Sequence, residues 1–290
     1  MASQGRGGGD SPFTEGERVL LIDRRGRRYL VRLKAHGTFQ THAGVVDHDD
    51  VIGLPEGSEI PAQRRQGSDG ASRRFLAFRP TLADVILKMP RGAQVIYPKD
   101  LGAIVVAADL YAGARVLEAG VGSGALSMAA LRAGCTVTGY EIRDDFAQRA
   151  LANVRELYGN NAPFVVEPRD IYEGIGETGY DRILLDLPEP WRVVDHAALA
   201  LVPGGILLAY LPTINQTSAL RNRLAQSSFA CAETFEVLQR SWHIDGRSVR
   251  PDHRMVAHTG FITTARRVVA AEGGTWHSEV EVGEVGPEDE

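Results

Sequence analysis

An alternation of apolar strand-like segments with longer helical segments, beginning at residue 114, constrains the fold more than any other feature of the chain. The segments with strand character are 114–119, 136–141, 164–168, 181–186, 205–211 and 261–266. Helical segments occupy residues 125–133 and 144–158. Strands that alternate with helices favour a mostly parallel sheet with helices on both faces. The sequence therefore predicts an α/β fold with a doubly wound sheet.

A different pattern precedes this region. Gly, Asp and Pro separate short apolar segments at 18–23, 28–33 and 75–78, which is typical of small strands joined by turns. We therefore expect a small β-rich domain over residues 13–80. The α/β domain is expected over residues 81–271, entered through a helical connector at 81–92. Residues 61–74 are expected to form an exposed loop.

Both ends of the chain have a biased composition. Residues 1–12 are Gly-rich and polar, and residues 272–290 hold seven acidic residues and no Lys or Arg. We expect both segments to be disordered. Without the tail, 32 basic residues stand against 30 acidic ones, so the net charge of −5 does not exclude a nucleic-acid partner.

Arginines cluster in the N-terminal region, at Arg24, Arg25, Arg27 and Arg28, at Arg64 and Arg65, and at Arg73 and Arg74. They are suited either to phosphate contacts or simply to solvated surfaces.

Cysteine content and hydropathy indicate the cellular setting. The two cysteines, Cys135 and Cys231, lie far apart and have no metal-ligand spacing, so neither a disulfide framework nor a zinc site is expected. No run approaches the 18 apolar residues of a membrane span, and the N-terminus lacks the apolar core of a signal peptide. We expect a cytoplasmic protein without metal.

The segment EAGVGSG, residues 118–124, follows one predicted strand and precedes a helix. Its glycines Gly120, Gly122 and Gly124 allow a tight turn and the close approach of a ligand to the backbone. Glu141 ends the next strand, 141 − 120 = 21 residues after the first glycine. At that spacing a carboxylate can bind the ribose hydroxyls of a nucleoside cofactor. The alternatives are a simple tight turn and an acid that stabilises a helix N-terminus.

The segment DRILLDLPEPW, residues 181–191, ends a buried strand in Asp186. The two prolines that follow restrict the backbone beyond the strand. Ligands bind at the carboxyl ends of strands in open α/β sheets, so Asp186 is a candidate catalytic residue. The alternatives are a turn or cap role for Asp186 and a core position for Trp191.

These motifs, with MPRGAQVIYPKD (residues 89–100) and RPDHRMVAHTGF (residues 250–261), resemble the bacterial and archaeal tRNA adenine-58 N1-methyltransferases, close to their actinobacterial members. The resemblance extends over residues 13–267. It implies a class I S-adenosylmethionine-dependent methyltransferase with a Rossmann-like doubly wound sheet and a small N-terminal β domain. It further implies a homotetramer that methylates N1 of an adenine in the T loop of tRNA.

The resemblance assigns a role to each candidate residue. Those expected to bind the cofactor are Gln94, Glu118, Gly120, Gly122, Ser123, Gly124, Leu126, Glu141, Asp170 and Asp186. Glu141 would hold the ribose and Asp170 the adenine end. Asp186 would be the catalytic carboxylate, Tyr97 would help close the site, and Tyr210, just after the next strand, would flank the target base. The alternative for the tyrosines is core packing.

Two other functions remain open from the residues alone. One is a methyltransferase that acts on a protein or a small molecule. The other is a noncatalytic RNA-binding subunit on the same fold, which the intact Glu118, Glu141 and Asp186 argue against.

Overall fold

The computed structural model describes residues 11–41, 44–63, 73–92 and 94–269, without the side chain of Arg73. The predicted disorder of 1–12 and 272–290 falls almost wholly outside these residues, as do Arg64 and Arg65. The chain forms two compact units, Met1–Pro90 with Glu156–Asn161, and Arg91–Arg155 with Ala162–Glu290.

The first unit is built on a four-stranded antiparallel sheet of order β2-β1-β6-β5. Strands β3 and β4 pair with each other in a separate two-stranded sheet. Its strands are β1 (Arg18–Asp23), β2 (Arg28–Arg32), β3 (Thr38–Thr41), β4 (Gly44–Asp47), β5 (Glu59–Ala62) and β6 (Arg73–Phe78). Phe13, Leu21 and Phe75 are among its fully buried core residues. Residues at both ends of 61–74 pair in β5 and β6, so the expected loop is shorter than 61–74.

Helix α1 (Leu82–Lys88) belongs to the first unit, which therefore ends after Pro90 rather than after residue 80. Thr81 and Asp84 form a reciprocal capping box at its start, which satisfies two otherwise unpaired backbone N–H groups. Arg28 on β2 donates to the same Asp84 carboxylate at 2.6 Å. This long-range ion pair fixes the helix to the sheet, which no local pattern could predict.

The second unit carries a seven-stranded sheet of order β12-β15-β11-β10-β7-β8-β9. Its strands are β7 (Arg115–Ala119), β8 (Thr136–Tyr140), β9 (Phe164–Glu167), β10 (Tyr180–Leu185), β11 (Leu201–Leu211), β12 (Phe229–Glu236) and β15 (Phe261–Arg267). The five strands β7 to β11 are parallel, and β15 runs antiparallel between β11 and β12. The predicted doubly wound α/β fold is confirmed.

Among the described residues, five α-helices accompany this sheet, namely α2 (Pro98–Ala107), α3 (Ala125–Arg132), α4 (Asp144–Tyr158), α5 (Val194–Ala200) and α6 (Ile214–Leu224). A separate hairpin is formed by β13 (Trp242–Asp245) and β14 (Ser248–Pro251). The sequence predicted α3 and α4 but not α2, α5, α6, β12 or the hairpin. No helix in the described part of the chain is long and apolar enough to cross a membrane.

Candidate active site at the carboxyl ends of β7 and β10

The three glycines after β7 all have left-handed backbone conformations, with φ of +83°, +55° and +84° at Gly120, Gly122 and Gly124. A Cβ at Gly120 would overlap the backbone carbonyl of Asp186, and one at Gly124 would touch Ala150 on α4 at 3.4 Å. Close packing thus explains Gly120, whereas the left-handed backbone explains Gly124, where the contact is an ordinary one. A Cβ at Gly122 would meet only the Gly120 carbonyl oxygen, at 3.9 Å. Gly122 therefore borders open space rather than packed protein.

Glu141 lies directly against this loop, as the spacing predicted. One carboxylate oxygen accepts from the backbone N–H of Gly122 at 3.1 Å, and the other accepts from the N–H of Arg143 at 3.0 Å. The side chain supports the loop and caps the chain entering α4. Each oxygen retains a lone pair for a further donor.

Glu118, the last residue but one of β7, is only 1 % exposed. Its carboxyl accepts from the Ser127 hydroxyl at 2.6 Å. Burial, together with the charges of Asp186 and Glu141 and against the lowering effect of the Ser127 hydrogen bond, raises the pKa of Glu118 to about 8. Three carboxyl groups thus converge on one small region.

Asp186 follows β10, and its backbone N–H donates to the Ala119 carbonyl at 3.0 Å, extending the pairing with β7. The residue is partly exposed, yet burial among surrounding protein atoms raises its pKa to about 7. Within the described residues, no hydrogen-bond donor reaches its carboxylate. Its carboxylate therefore remains available to a donor from a ligand or substrate.

A small cavity gathers most of the predicted residues. Those that line it are Gln94, Glu118, Gly120, Gly122, Ser123, Leu126 and Asp186, together with Val95, Ile96, Val121 and Ala125, which the sequence did not single out. The apolar members provide a surface for an uncharged part of a ligand, and the carboxyl groups favour a cationic part.

Ser123 gives the clearest sign that the cavity accepts a polar ligand. It is 4 % exposed, and its hydroxyl oxygen has no hydrogen-bond partner among the described residues. The Asn153 side chain donates to its backbone carbonyl at 3.0 Å, which fixes the residue in place. Because an unpaired buried hydroxyl costs about 1–3 kcal/mol, a ligand that bonds it would be stabilised.

Five predicted site residues lie outside this lining, namely Gly124 and Glu141, described above, and Asp170, Tyr97 and Tyr210. Asp170 is half-buried and accepts from the Tyr172 N–H at 2.9 Å, capping a short 3₁₀ helix. Tyr97 is half-buried and immediately precedes α2. Tyr210 lies within β11 rather than after it, because the strand continues to Leu211. Its ring is only 8 % exposed, and its hydroxyl donates to Asp100 at 3.3 Å.

Trp191 follows β10 in the same segment as Asp186. It is partly exposed and packs against the hydrophobic core cluster of the second unit. No group of three or more His, Cys, Asp or Glu able to hold a metal ion occurs among the described residues.

Comparison with known proteins identifies the family. The model of the tRNA methyltransferase complex GCD14 subunit matches residues 75–250, and the TrmI-like N-terminal model matches residues 11–60. The chain belongs to this tRNA methyltransferase family. It is 37% identical over 253 residues to the tRNA (adenine(58)-N(1))-methyltransferase TrmI of Thermus thermophilus, covering 86% of this chain and 96% of the relative. The chain is also 34% identical to the TrmI of Methanocaldococcus jannaschii, which is named for adenines 57 and 58. That match covers 85% of this chain and 94% of the relative.

Two solved structures match most of the chain. A SAM-dependent O-methyltransferase from Thermotoga maritima has a TM-score of 0.83 at 32% identity, covering 89% of this chain and 96% of its own. The tRNA (m1A58) methyltransferase TrmI from Aquifex aeolicus has a TM-score of 0.78 at 29% identity. The match covers 90% of this chain and 100% of the Aquifex chain. The fold is therefore that of a class I methyltransferase with an N-terminal β domain.

Proposed function

We propose that this protein transfers the methyl group of S-adenosylmethionine to N1 of adenine 58 in the T loop of tRNA. The observation that carries the proposal is Asp186, a carboxylate that lies beside a glycine loop and has no hydrogen-bond partner among the described residues, in a chain of the tRNA methyltransferase family. Mass spectrometry of nucleosides from tRNA incubated with the enzyme and S-adenosylmethionine tests it. The expected result is 1-methyladenosine at position 58.

The cavity residues fit S-adenosylmethionine, which supplies a methyl group on a positively charged sulfur. Ser123 offers an unpaired hydroxyl and Glu118 a buried carboxyl for the polar methionine end. Glu141 offers its free lone pairs to ribose hydroxyls. The open space at Gly122 lets the ligand approach the backbone. For Asp170 we propose the adenine end, and its remaining lone pairs are compatible with that role.

Asp186 supplies the chemistry at the target base. N1 of adenine is a weak nucleophile, and its alkylation places positive charge on the ring and on the exocyclic amino group. A carboxylate that accepts a hydrogen bond from that amino group stabilises the charge as it develops and can take the proton. The same contact distinguishes adenine by the edge it presents.

The raised pKa of Asp186 predicts a pH dependence. Only the ionised carboxylate stabilises positive charge. The value of kcat/KM should therefore fall about tenfold per pH unit below about pH 7, which is the pKa of Asp186 in the free enzyme. A bound cation lowers the pKa of a nearby carboxyl, so the single-turnover rate at saturating S-adenosylmethionine should decline only at lower pH. Initial rates and single-turnover rates between pH 5.5 and 8.5 measure the two profiles. A kcat/KM profile that is flat over this range would contradict a catalytic Asp186 with a pKa of about 7.

One comparison favours a different substrate class, because the similar protein from Thermotoga maritima is named an O-methyltransferase. A protein or small-molecule substrate predicts cofactor binding without any 1-methyladenosine in tRNA. A noncatalytic subunit predicts neither methylation nor S-adenosylmethionine binding. Calorimetry with S-adenosylmethionine beside the nucleoside assay therefore separates the three functions.

The arginine clusters bear on how tRNA is bound. Arg27 and Arg28 pair with Asp23 and Asp84, and Arg74 pairs with Glu59. Arg25 is exposed and has no acidic partner within the described residues. The same is true of four arginines in and around the β13–β14 hairpin, namely Arg240, Arg247, Arg250 and Arg254. We propose that arginines of both units contact tRNA phosphates.

Phosphate contacts predict a salt dependence. The logarithm of tRNA affinity should fall linearly with the logarithm of salt concentration, by about 0.7–0.9 per phosphate contacted. Arg247→Gln/Arg250→Gln should weaken tRNA binding and reduce this slope by one or two contacts. Arg115→Gln, at the opposite end of the sheet from the site, is the control. An unchanged slope in the double variant would remove these residues from the interface, and equal affinity at low and high salt would exclude phosphate contacts.

We also propose that the enzyme is a homotetramer of the reducing cytoplasm. The β13–β14 register places Trp242, Ile244 and Val249 on one face of the hairpin, and His243 and Arg250 on the other. The three apolar side chains are 56–73 % exposed. Because an isolated two-stranded hairpin is marginally stable, a second copy that covers this face would stabilise it.

Native mass spectrometry tests the assembly. Ile244→Lys/Val249→Lys introduces charge on the apolar face and should reduce the tetramer to smaller species. His243→Lys/Ser248→Lys adds the same charge on the other face and should leave the mass unchanged. A tetramer that survives the first pair of substitutions would show that this face is not an interface.

A further inference from the structure

A buried polar network lies behind the ring of Tyr210 in the second unit. The side chains of Lys99 and Asp100 are 4 % and 0 % exposed. The Lys99 ammonium donates to an Asp100 oxygen at 2.7 Å, to the Thr259 hydroxyl at 2.6 Å and to the Val237 carbonyl at 2.7 Å. All three ammonium protons therefore have acceptors, which is what a buried charge requires.

Asp100 is the centre of this network. One of its oxygens accepts from Lys99, and the other accepts from the Thr259 hydroxyl at 2.6 Å and the Tyr210 hydroxyl at 3.3 Å. The pair Lys99–Asp100 is neutral overall and fully hydrogen-bonded. Removal of one partner from such a network strongly lowers the stability of the fold, because it leaves a buried charge unpaired.

Gly260 completes the surroundings of the ring. A Cβ at this position would overlap the Tyr210 ring and lie 2.7 Å from its hydroxyl oxygen. Only glycine leaves room for the ring as it is placed. Asp100 thus holds Tyr210 through its hydroxyl, and the ring of Tyr210 packs against the backbone of Gly260, the residue that follows Thr259.

The held ring is adjacent to the candidate catalytic carboxylate. Leu185 pairs with Ala209 across β10 and β11, so Asp186 and Tyr210 are the next residues along neighbouring strands. Burial raises the pKa of Tyr210, and the nearby charges of Asp100 and Asp186 raise it further. The phenol beside Asp186 therefore stays neutral.

We propose that Lys99, Asp100, Thr259 and Gly260 are positioning residues, which fix the ring and hydroxyl of Tyr210 beside Asp186 and so set the rate of methyl transfer. The inference rests on the proposed function. The network lies behind Tyr210 rather than in the lining of the cofactor cavity, so it acts on turnover and not on cofactor affinity. Small displacements of groups at a reacting centre lower the rate by large factors.

Thr259→Val tests the network with the least disturbance of charge, because it removes one hydroxyl and keeps the volume. We expect the single-turnover rate, with tRNA and S-adenosylmethionine both saturating, to fall about tenfold. The dissociation constant for S-adenosylmethionine should change less than about twofold. Thr259→Ser restores a hydroxyl at the same place and should recover most of the rate.

Thr263→Val is the matched control. Thr263 is 1 % exposed on β15, and its hydroxyl bonds the Thr234 hydroxyl at 2.9 Å, outside the network. We expect it to lower the melting temperature as Thr259→Val does, with an unchanged rate well below that temperature. Gly260→Ala deletes no polar group and should slow methyl transfer by displacing the ring, which provides a second test if Thr259→Val folds poorly.

A double-mutant comparison with Tyr210→Phe decides whether the network acts through Tyr210. If it does, Tyr210→Phe/Thr259→Val should be no slower than Tyr210→Phe alone. Rate losses that multiply, or a Thr259→Val variant that loses stability at full rate, would overturn the proposal. Failure of the proposed function is a separate result, because the unaltered protein would then form no 1-methyladenosine.

Discussion

Asp186→Asn should lower the single-turnover rate of methyl transfer by about 10²-fold or more. The amide keeps the shape of the side chain and can still present an oxygen to the adenine amino group. It has no charge to set against the positive charge that develops in the transition state. Because that charge is absent from the ground state, the loss should fall on turnover while tRNA affinity is retained.

Two measurements separate this result from a structural effect. A turn or cap role for Asp186 predicts a stability loss of about 0.5–2 kcal/mol, with near-normal turnover in the folded molecules. A thermal melt beside the single-turnover assay distinguishes the two. Asp181→Asn, which alters a carboxylate at the opposite end of β10 that bonds the Arg115 N–H at 2.8 Å, is the control. Near-normal methyl transfer by Asp186→Asn would remove the residue from the mechanism.

Gly122→Leu should weaken S-adenosylmethionine binding by about 10²-fold or more, since each 1.4 kcal/mol is tenfold in affinity. The space beside Gly122 contains no packed protein atoms and adjoins the cavity. A leucine side chain would occupy it. The Gly122 N–H would still donate to Glu141, so the loss would come from excluded volume rather than from a missing hydrogen bond.

Backbone strain must be measured separately, because a side chain in the left-handed region costs about 1–2 kcal/mol. Gly113→Leu provides the control. Gly113 has a φ of +89° and no atom within 4 Å of the position of a Cβ, and it lies in the turn before β7. It should lose similar stability with cofactor affinity intact. Undiminished affinity in folded Gly122→Leu, measured by calorimetry, would refute the assigned ligand space.

The sequence by itself determined the sheet, the glycine loop and the approximate position of Asp186. Helix α4 spans Asp144–Tyr158, as its pattern predicted, and the residues after β7 and β10 meet as expected of parallel strands. These features depend on short-range properties, namely apolar periodicity and the conformational range of glycine. A motif of a few neighbouring residues is enough to specify them.

Only the tertiary structure decided which side chains surround the site and why. Gly120 is required by the Asp186 carbonyl, 66 positions along the chain (186 − 120). The buried Tyr210 hydroxyl donates a hydrogen bond to Asp100, 110 residues away, and Lys99 donates to Thr259 across 160 residues. Contacts between segments this distant leave no periodic signal in either one. They arise because packing buries charged and polar groups, which must then find partners wherever the fold supplies them.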